Sequence, residues 1–393
     1  MRTLYDVQQL LKKFGIIVYI GDRLADLELM ELELRQLYQA RVLENREYET
    51  ALLIIRQEKR LEKEKKLRVS EMAEKWIIGI DLGGTTTKLA FVNEAGDIVH
   101  RWEIPTVTAN EGKAILPNIA KSIEDELARA KREKKEITGI GLGVPGPVDM
   151  EAGVIYESVN IGWAQHYPVA GTLQKLVGLK VVIDNDANVA ALGEMWKGAG
   201  KGSGEMVFVT LGTGVGGGII TGGDIVHGVK GAAGEIGHIT VIPEGGARCN
   251  CGKTGCLETV ASATGVVRTA IAKLAAFSGA SPLKDLYARS GSVSAKDVFD
   301  FAKAGDALSY EIVDETAKYL GLALASVANT LNPEKIVLGG GVSKAGETLL
   351  NPVRAYFLKY AFNTVGKSTK LELATLGNDA GVLGAAWLAL NKI

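Results

Sequence analysis

Apolar residues recur at helical spacing in the first part of the chain and in short strand-like runs through the rest. Val7, Leu10, Leu11 and Phe14 fall on one helical face. Leu27, Met30, Leu34 and Leu37 fall on a second, and Tyr48, Leu52 and Ile55 begin a third. The third pattern runs into RQEKRLEKEKKLR, residues 56–68, where seven of thirteen residues are basic and three acidic. Charges mixed in this way suit a solvated helix face and linker. The pattern predicts a small three-helix unit with a long charged exit helix. No glycine or proline occurs over residues 22–78, whereas 46 of the 48 glycines and all nine prolines lie from Gly79 onward. That shift near residue 75 marks a domain boundary.

From Trp76 the pattern becomes strand, turn, strand. WIIGID is an apolar run ending in an acid, LGGTTTK turns the chain, LAFVN returns, and GDIVHRWEIPT supplies a third strand. A helix is predicted over 111–135, then the strands ITGIGLGV and KVVID and the helical stretch NVAALGEMWKG. The logic then repeats. EMVFVTLGTG enters a second glycine turn and GGGIITGG returns. Long helical stretches, the strands KIVLGGG and LELATLG, and a last helix over 380–391 complete the chain. An apolar strand thus enters a glycine hairpin twice, at 77–92 and 206–221, a weak repeat of about 130 residues. It predicts two similar α/β lobes with a cleft between them.

Charge and composition narrow the function. The formal net charge of -1 gives no global attraction to nucleic acid or an anionic membrane. The basic stretch at 56–68 leaves a nucleic-acid contact open for the helical segment only. The uncharged stretch 206–223 is long enough to suggest a membrane span, but its glycines read as strands and turns. MRTLYDVQQLLKK lacks the apolar core of a secretory signal. With only three cysteines in the chain, the expected compartment is the reducing cytoplasm. There, Cys249, Cys251 and Cys256 packed within eight residues read as a metal site rather than a disulfide framework.

Two glycine motifs invite a dinucleotide reading. Gly212, Gly214 and Gly217 fit G-x-G-x-x-G, as do Gly141, Gly143 and Gly146. Neither is followed by the helix that fingerprint requires. CGKT resembles the end of a P-loop, but Ala247 stands where its first glycine belongs. The two hairpins read better as a pair of phosphate cradles, since glycine lets backbone N–H groups approach phosphate oxygens. Thr85 and Thr213 hold matching places in the two turns, and Asp81 ends the first strand where a carboxylate can hold Mg²⁺ directly or through water.

IGIDLGGTTTK, VTLGTGVGGG and KIVLGGGV resemble the nucleotide-binding segments of the actin-like sugar kinases. GEIGHITV followed by CNCGKTGCLE resembles the zinc signature of the ROK family (repressors, ORFs and kinases), and GVPGPVDMEAGVIYESVNIGW brings the ROK glucokinases nearest. The first seventy or so residues resemble the small helical YqgQ-type proteins. The resemblance implies an α/β fold of two RNase H-like lobes with a small all-α N-terminal domain. It implies a helical unit and linker at 1–75, an N-terminal lobe at 76–190 joined by the helix at 378–393, and a C-terminal lobe with the zinc loop at 191–377. The implied reaction is transfer of the ATP γ-phosphoryl group to the 6-hydroxyl of glucose, with Mg²⁺ and a structural Zn²⁺, by a protein of a family that often dimerises. ATP would be held by Asp81, Gly83, Gly84 and Thr85, by Gly212, Thr213, Gly214 and Gly216, and by Gly339, Gly340 and Gly341. The sugar would be held by Asn185, Asp186, Glu235, His238 and Glu258, with Asn160 a further candidate. His238, eleven residues before Cys249, corresponds to the family's fourth zinc ligand beside Cys249, Cys251 and Cys256. Strand geometry alone leaves Asp184 and Asp186 equal as base and leaves a helix N-cap open for Asp186; the N-D-A-N match to the family selects Asp186. A kinase for another hexose (fructose, mannose or an N-acetylhexosamine) and a sugar-responsive repressor are the alternatives.

Overall fold

The structure, a computed structural model, describes residues 1, 3–71, 75–158 and 161–393. It divides into two compact units, Met1–Glu74 and Lys75–Ile393. The first holds α1 (Leu4–Lys13), α2 (Arg23–Gln39) and α3 (Asn45–Glu71). Thr3 and Asp6 close a capping box on α1, and Asp22 accepts the N–H groups of Leu24 and Ala25 at the start of α2. Val7, Leu11, Leu27, Leu34 and Ile55 are buried together. Two expected face residues lie elsewhere. Phe14 falls just past the end of α1 and is exposed, and on α3 the innermost place beside Ile55 belongs to Ala51 rather than Leu52.

The second unit holds two five-stranded sheets of one strand order. In the first, β1 (Trp76–Leu82), β2 (Thr86–Asn93), β3 (Ile98–Pro105), β4 (Ile137–Val144) and β7 (Val181–Asn185) run β3-β2-β1-β4-β7. In the second, β8 (Met206–Leu211), β9 (Val215–Thr221), β10 (Asp224–Ile225), β11 (Lys335–Gly339) and β12 (Lys370–Leu373) run β10-β9-β8-β11-β12. In both, the first three strands are antiparallel and the last two join in parallel. The small ribbon of β5 (Val148–Asp149) and β6 (Val154–Ile155) stands apart. The central strands are apolar almost throughout because both faces are covered.

Helices α4 (Ile115–Ala130) and α5 (Val169–Val177) cover the outer face of the first sheet. On the second, the outer layer holds α7 (Glu258–Ala261), α8 (Ala263–Ala276), α9 (Pro282–Ser290), α10 (Ala295–Lys303), α11 (Ala307–Leu331), α12 (Gly340–Ser343), α13 (Glu347–Tyr360) and α14 (Asn363–Ser368). Helices α6 (Asp186–Lys197) and α15 (Ala380–Lys392) lie between the sheets. Val189, Leu192, Ala385 and Leu388 pack on Met206, Phe208 and Val337 of the second sheet, while Val382 and Ala386 pack on Ile77 and Ala90 of the first. Contact with β1 and β4 is backbone to backbone: a Cβ at Gly79 would stand 1.9 Å from the Val382 carbonyl oxygen, and one at Gly141 1.8 Å from that of Ala385. Gly141, the first glycine of one dinucleotide-like motif, therefore admits a helix. Helix α4 is shorter than the 111–135 expected, since Asn110 and Glu111 precede it at positive φ and Lys131 ends it in the left-handed region.

No helix among the described residues is long and apolar enough to cross a membrane. Each core cluster draws its residues from one unit alone. A chain shortened to begin at Met72 should therefore fold and melt cooperatively by circular dichroism. Failure to fold would mean that the helical unit completes the larger core.

Candidate active site

The two glycine hairpins are built alike. The first turns between β1 and β2, where the Gly83 N–H donates to the Thr86 carbonyl at 3.1 Å. The second turns between β8 and β9, where the Gly212 N–H donates to the Gly214 carbonyl at 2.9 Å. Gly84, Thr85 and Thr213 are exposed at the tips. Gly216 lies on β9 against α6, where an added Cβ would come within 3.2 Å of Ala187. Gly339 ends β11, and Gly340 starts α12 at φ 85° within 2.6 Å of the Leu211 backbone, measured from the Cβ it lacks. That close approach sets the turn of Gly339, Gly340 and Gly341 beside the second hairpin.

Because β1, β4 and β7 are parallel, their C-terminal ends share one edge, where Asp81 pairs with Gly143 and Gly143 with Asp184. Asp186 opens α6 just beyond. Asp81 and Asp186 line one cavity of about 300 Å³ with Lys88, Glu194, Thr210, Gly339 and Gly340, so both lobes contribute to it. Burial raises the Asp81 carboxyl, and Lys88 opposes the rise. Burial first, then the Asp81 charge and more weakly Glu235, push the Asp186 carboxyl up to about 6, against the lowering effect of the Ala187 N–H.

The neighbouring residues have other tasks. Asn185, not Asp186, caps α6: its Oδ1 accepts from Ala187 at 2.9 Å and Asn188 at 3.3 Å, and its Nδ2 donates to the Gly146 carbonyl at 3.1 Å. The Asn185 side chain also hydrogen-bonds Asp186, which lowers that carboxyl somewhat. Asp184 is wholly buried and accepts from the Asn185 N–H (2.7 Å), Asn188 Nδ2 (2.9 Å) and His227 Nε2 (2.8 Å). Its hydrogen bond raises the His227 pKa. Fully engaged in this way, Asp184 has no room to act on a substrate.

His238, Cys249, Cys251 and Cys256 offer ligand atoms all within 4.8 Å of one another. His238 Nδ1 is 3.6 Å from Cys249 Sγ, and Cys251 Sγ is 3.6 Å from Cys256 Sγ. Bond lengths usual for zinc place tetrahedral ligands roughly 3.6–3.8 Å apart, so the spacing fits that ion. All three thiols are free. Burial pushes the Cys249 thiol up to about 12, so a thiolate there needs a cation beside it. The loop is tied to the second hairpin. Cys256 bridges Thr240, the Leu257 N–H donates to the Ile239 carbonyl, and Glu258 then accepts the Val215 N–H at 3.0 Å. Glu258 Oε1 also lies 3.7 Å from Cys249 Sγ. The other nitrogen of His238, Nε2, lies 3.8 Å from Glu235 Oε2. Asn160 lies outside the described residues.

One element escaped the sequence reading. A second cavity of about 360 Å³ adjoins Gly341 and Lys344, lined by Ala263, Ala295, Phe299, Val342 and Ala345. Its apolar wall comes from α10, the start of α8 and residues 342–345, and the only signal of α10 in the sequence is an amphipathic helix.

Paired sheets of one strand order, each opening on a glycine hairpin, with two acids and the Gly339–Gly340 turn at the cavity between them, define the actin-like sugar-kinase class of fold. The chain belongs to the ROK family, whose profile matches residues 77–392; residues 1–61 match the YqgQ-like profile. It is 54% identical to the glucokinase of Halalkalibacterium halodurans over 81% of this chain and 96% of that one. It is 36% identical to the glucokinase of Thermotoga maritima over 81% and 98%. Among solved structures it resembles a ROK family glucokinase from Streptomyces griseus in complex with glucose and AMPPNP, with a TM-score of 0.64, 34% identity, and 80% and 98% of the chains covered.

Proposed function

We propose that the chain is an ATP-dependent glucokinase that transfers the γ-phosphoryl group to the 6-hydroxyl of glucose. The observation that carries this reading is the acid Asp186, raised to about 6, in the cavity that it lines with Asp81 and the Gly339–Gly340 turn. A base with a pKa near 6 is ionised at neutral pH yet still basic enough to accept a hydroxyl proton as the bond to phosphorus develops. The N–H groups of Gly84, Thr85, Thr213 and Gly214, with the Thr85 and Thr213 hydroxyls, would hold the phosphates, Gly83 and Gly212 would close the two turns, and the Gly339, Gly340 and Gly341 turn would close the third side. The apolar cavity along α10 suits a purine ring. Asp81 would hold Mg²⁺, which supplies charge neutralisation to the transferring group.

Asn185, Glu235, His238 through Nε2, and Glu258 would pair the sugar hydroxyls, with Asn160 a further candidate. His238 Nδ1 and the three cysteines would hold zinc, whose chemistry here is structural because four protein ligands close the coordination sphere. The ATP requirement and the free thiols suit a cytoplasmic protein.

A coupled assay with saturating Mg-ATP should give a higher kcat/KM for glucose than for mannose, fructose or N-acetylglucosamine. Glu235, His238 and Glu258 share one metal-tethered segment, and a stiff polar site rejects added bulk such as an acetamido group. Equal or better use of N-acetylglucosamine or fructose would remove glucose as the substrate and leave the kinase reading standing.

A further inference from the structure

The chain passes between the lobes twice, at residues 198–205 from α6 to β8 and at 374–379 from β12 to α15. The side chain of Glu194 is bonded to both passages. Glu194, on α6, is wholly buried. Its Oε2 accepts the Ala199 N–H at 2.9 Å, in the first passage. Its Oε1 accepts the Leu376 N–H at 2.9 Å, in the second, and the Thr375 N–H lies 3.1 and 3.2 Å from the two oxygens. The Glu194 backbone carbonyl also accepts from Gly198 and Gly200. The passage is shaped to admit the carboxylate: a Cβ at Gly198 would stand 2.0 Å from Glu194 Oε2. Among the described residues, three backbone N–H groups and no cation bond this buried carboxylate, an arrangement that holds only while both passages keep their places.

Glu194 and Asp186 share one rigid helix. Eight residues separate them, about 12 Å of α-helix. Along that length α6 is locked to α15: a Cβ at Gly193 would stand 2.1 Å from the Ala380 carbonyl oxygen, and one at Gly384 1.5 Å from that of Val189. The acid that opens α6 and the carboxylate bonded to both passages therefore move as one body, and both line the cavity between the lobes.

We propose that Glu194 is the pivot of lobe closure, a positioning residue that keeps Asp186 in register with the sugar while the second lobe turns about residues 198–200 and 374–376. This rests on the kinase reading above. Hinges are a few residues at element ends that absorb the rotation, and altering them changes binding and turnover far from the chemistry. Sugar must be enclosed by both lobes, whereas the nucleotide takes phosphate contacts from both but its apolar cavity along α10 from one, so its binding depends less on closure.

Glu194→Gln places an amide NH₂ against N–H donors at nearly constant volume. In the full chain it should fold, raise the glucose KM roughly tenfold, weaken AMPPNP binding less than glucose binding, and reduce the compaction that glucose with AMPPNP produces in X-ray scattering. A lowered melting temperature with unchanged glucose KM and unchanged compaction would make Glu194 a stabilising residue only and overturn the proposal. Wild-type hydrogen exchange tests the pivot without any variant. The amides of Ala199, Thr375 and Leu376 should stay protected with and without glucose and AMPPNP. Loss of their protection on ligand addition would overturn it. Absence of phosphoryl transfer by the wild type to any hexose would instead remove the kinase reading.

Discussion

Asp186→Asn should lower kcat by roughly 10²–10⁴-fold while glucose still binds, the range expected when a general base is removed. Asparagine keeps the shape of the side chain and its bond to the Ala187 N–H, so a large loss isolates proton acceptance. The pH profile gives a second reading of the same group. Wild-type kcat/KM should fall below a pH of about 6 as Asp186 takes up its proton. Stability should move the other way. A carboxyl raised from 3.8 to about 6 by folding is accommodated best when protonated. Its favourable contribution is complete below pH 3.8 and lost as pH rises through about 6. Asp186→Asn, neutral throughout, should therefore melt higher than wild type at pH 7, by at most about 3 kcal/mol in stability. Near-normal turnover, or equal melting temperatures at pH 5 and pH 7 for both proteins, would take the role from Asp186.

Removing the metal ligands should produce the second large effect. The purified protein should contain one zinc per chain, and Cys251→Ser should lose it. The consequence should reach the sugar and the second hairpin together. Glu258 follows Cys256 by two residues and holds the Val215 N–H, while His238 carries its free nitrogen toward Glu235. Loosening that segment should lower kcat/KM for glucose at least roughly 100-fold, with zinc content and activity falling in step on treatment with a chelator. Full activity in a zinc-free protein would contradict the structural role.

Much of this arrangement was legible in the residues because it repeats. A strand ending in glycines occurs twice, and the two sheets share one strand order. The cysteines announce themselves by density in a chain that has no others. What escaped depends on tertiary contact. Asn185, Asp184 and Asp186 are adjacent polar residues at a strand end. Only the turn into α6 shows that the first caps, the second is buried against His227, and the third is left to the cavity. Glu194 reads in sequence as one more polar position on an amphipathic helix. Its partners lie five residues away on one side and more than 180 on the other, and no periodicity marks a carboxylate satisfied by backbone N–H groups. The apolar cavity along α10 was equally silent, since its walls come from three separate segments.

The central claim is that Asp186 activates the 6-hydroxyl of glucose for attack on ATP. Incubating the full chain with Mg-ATP and glucose, and following phosphorus NMR of the products, tests it most directly. The wild type should form glucose 6-phosphate and ADP in equal amounts, and Asp186→Asn, shown by calorimetry to bind glucose still, should form almost none. A different phosphate ester from the wild type, or the same ester at a comparable rate from Asp186→Asn, would contradict it.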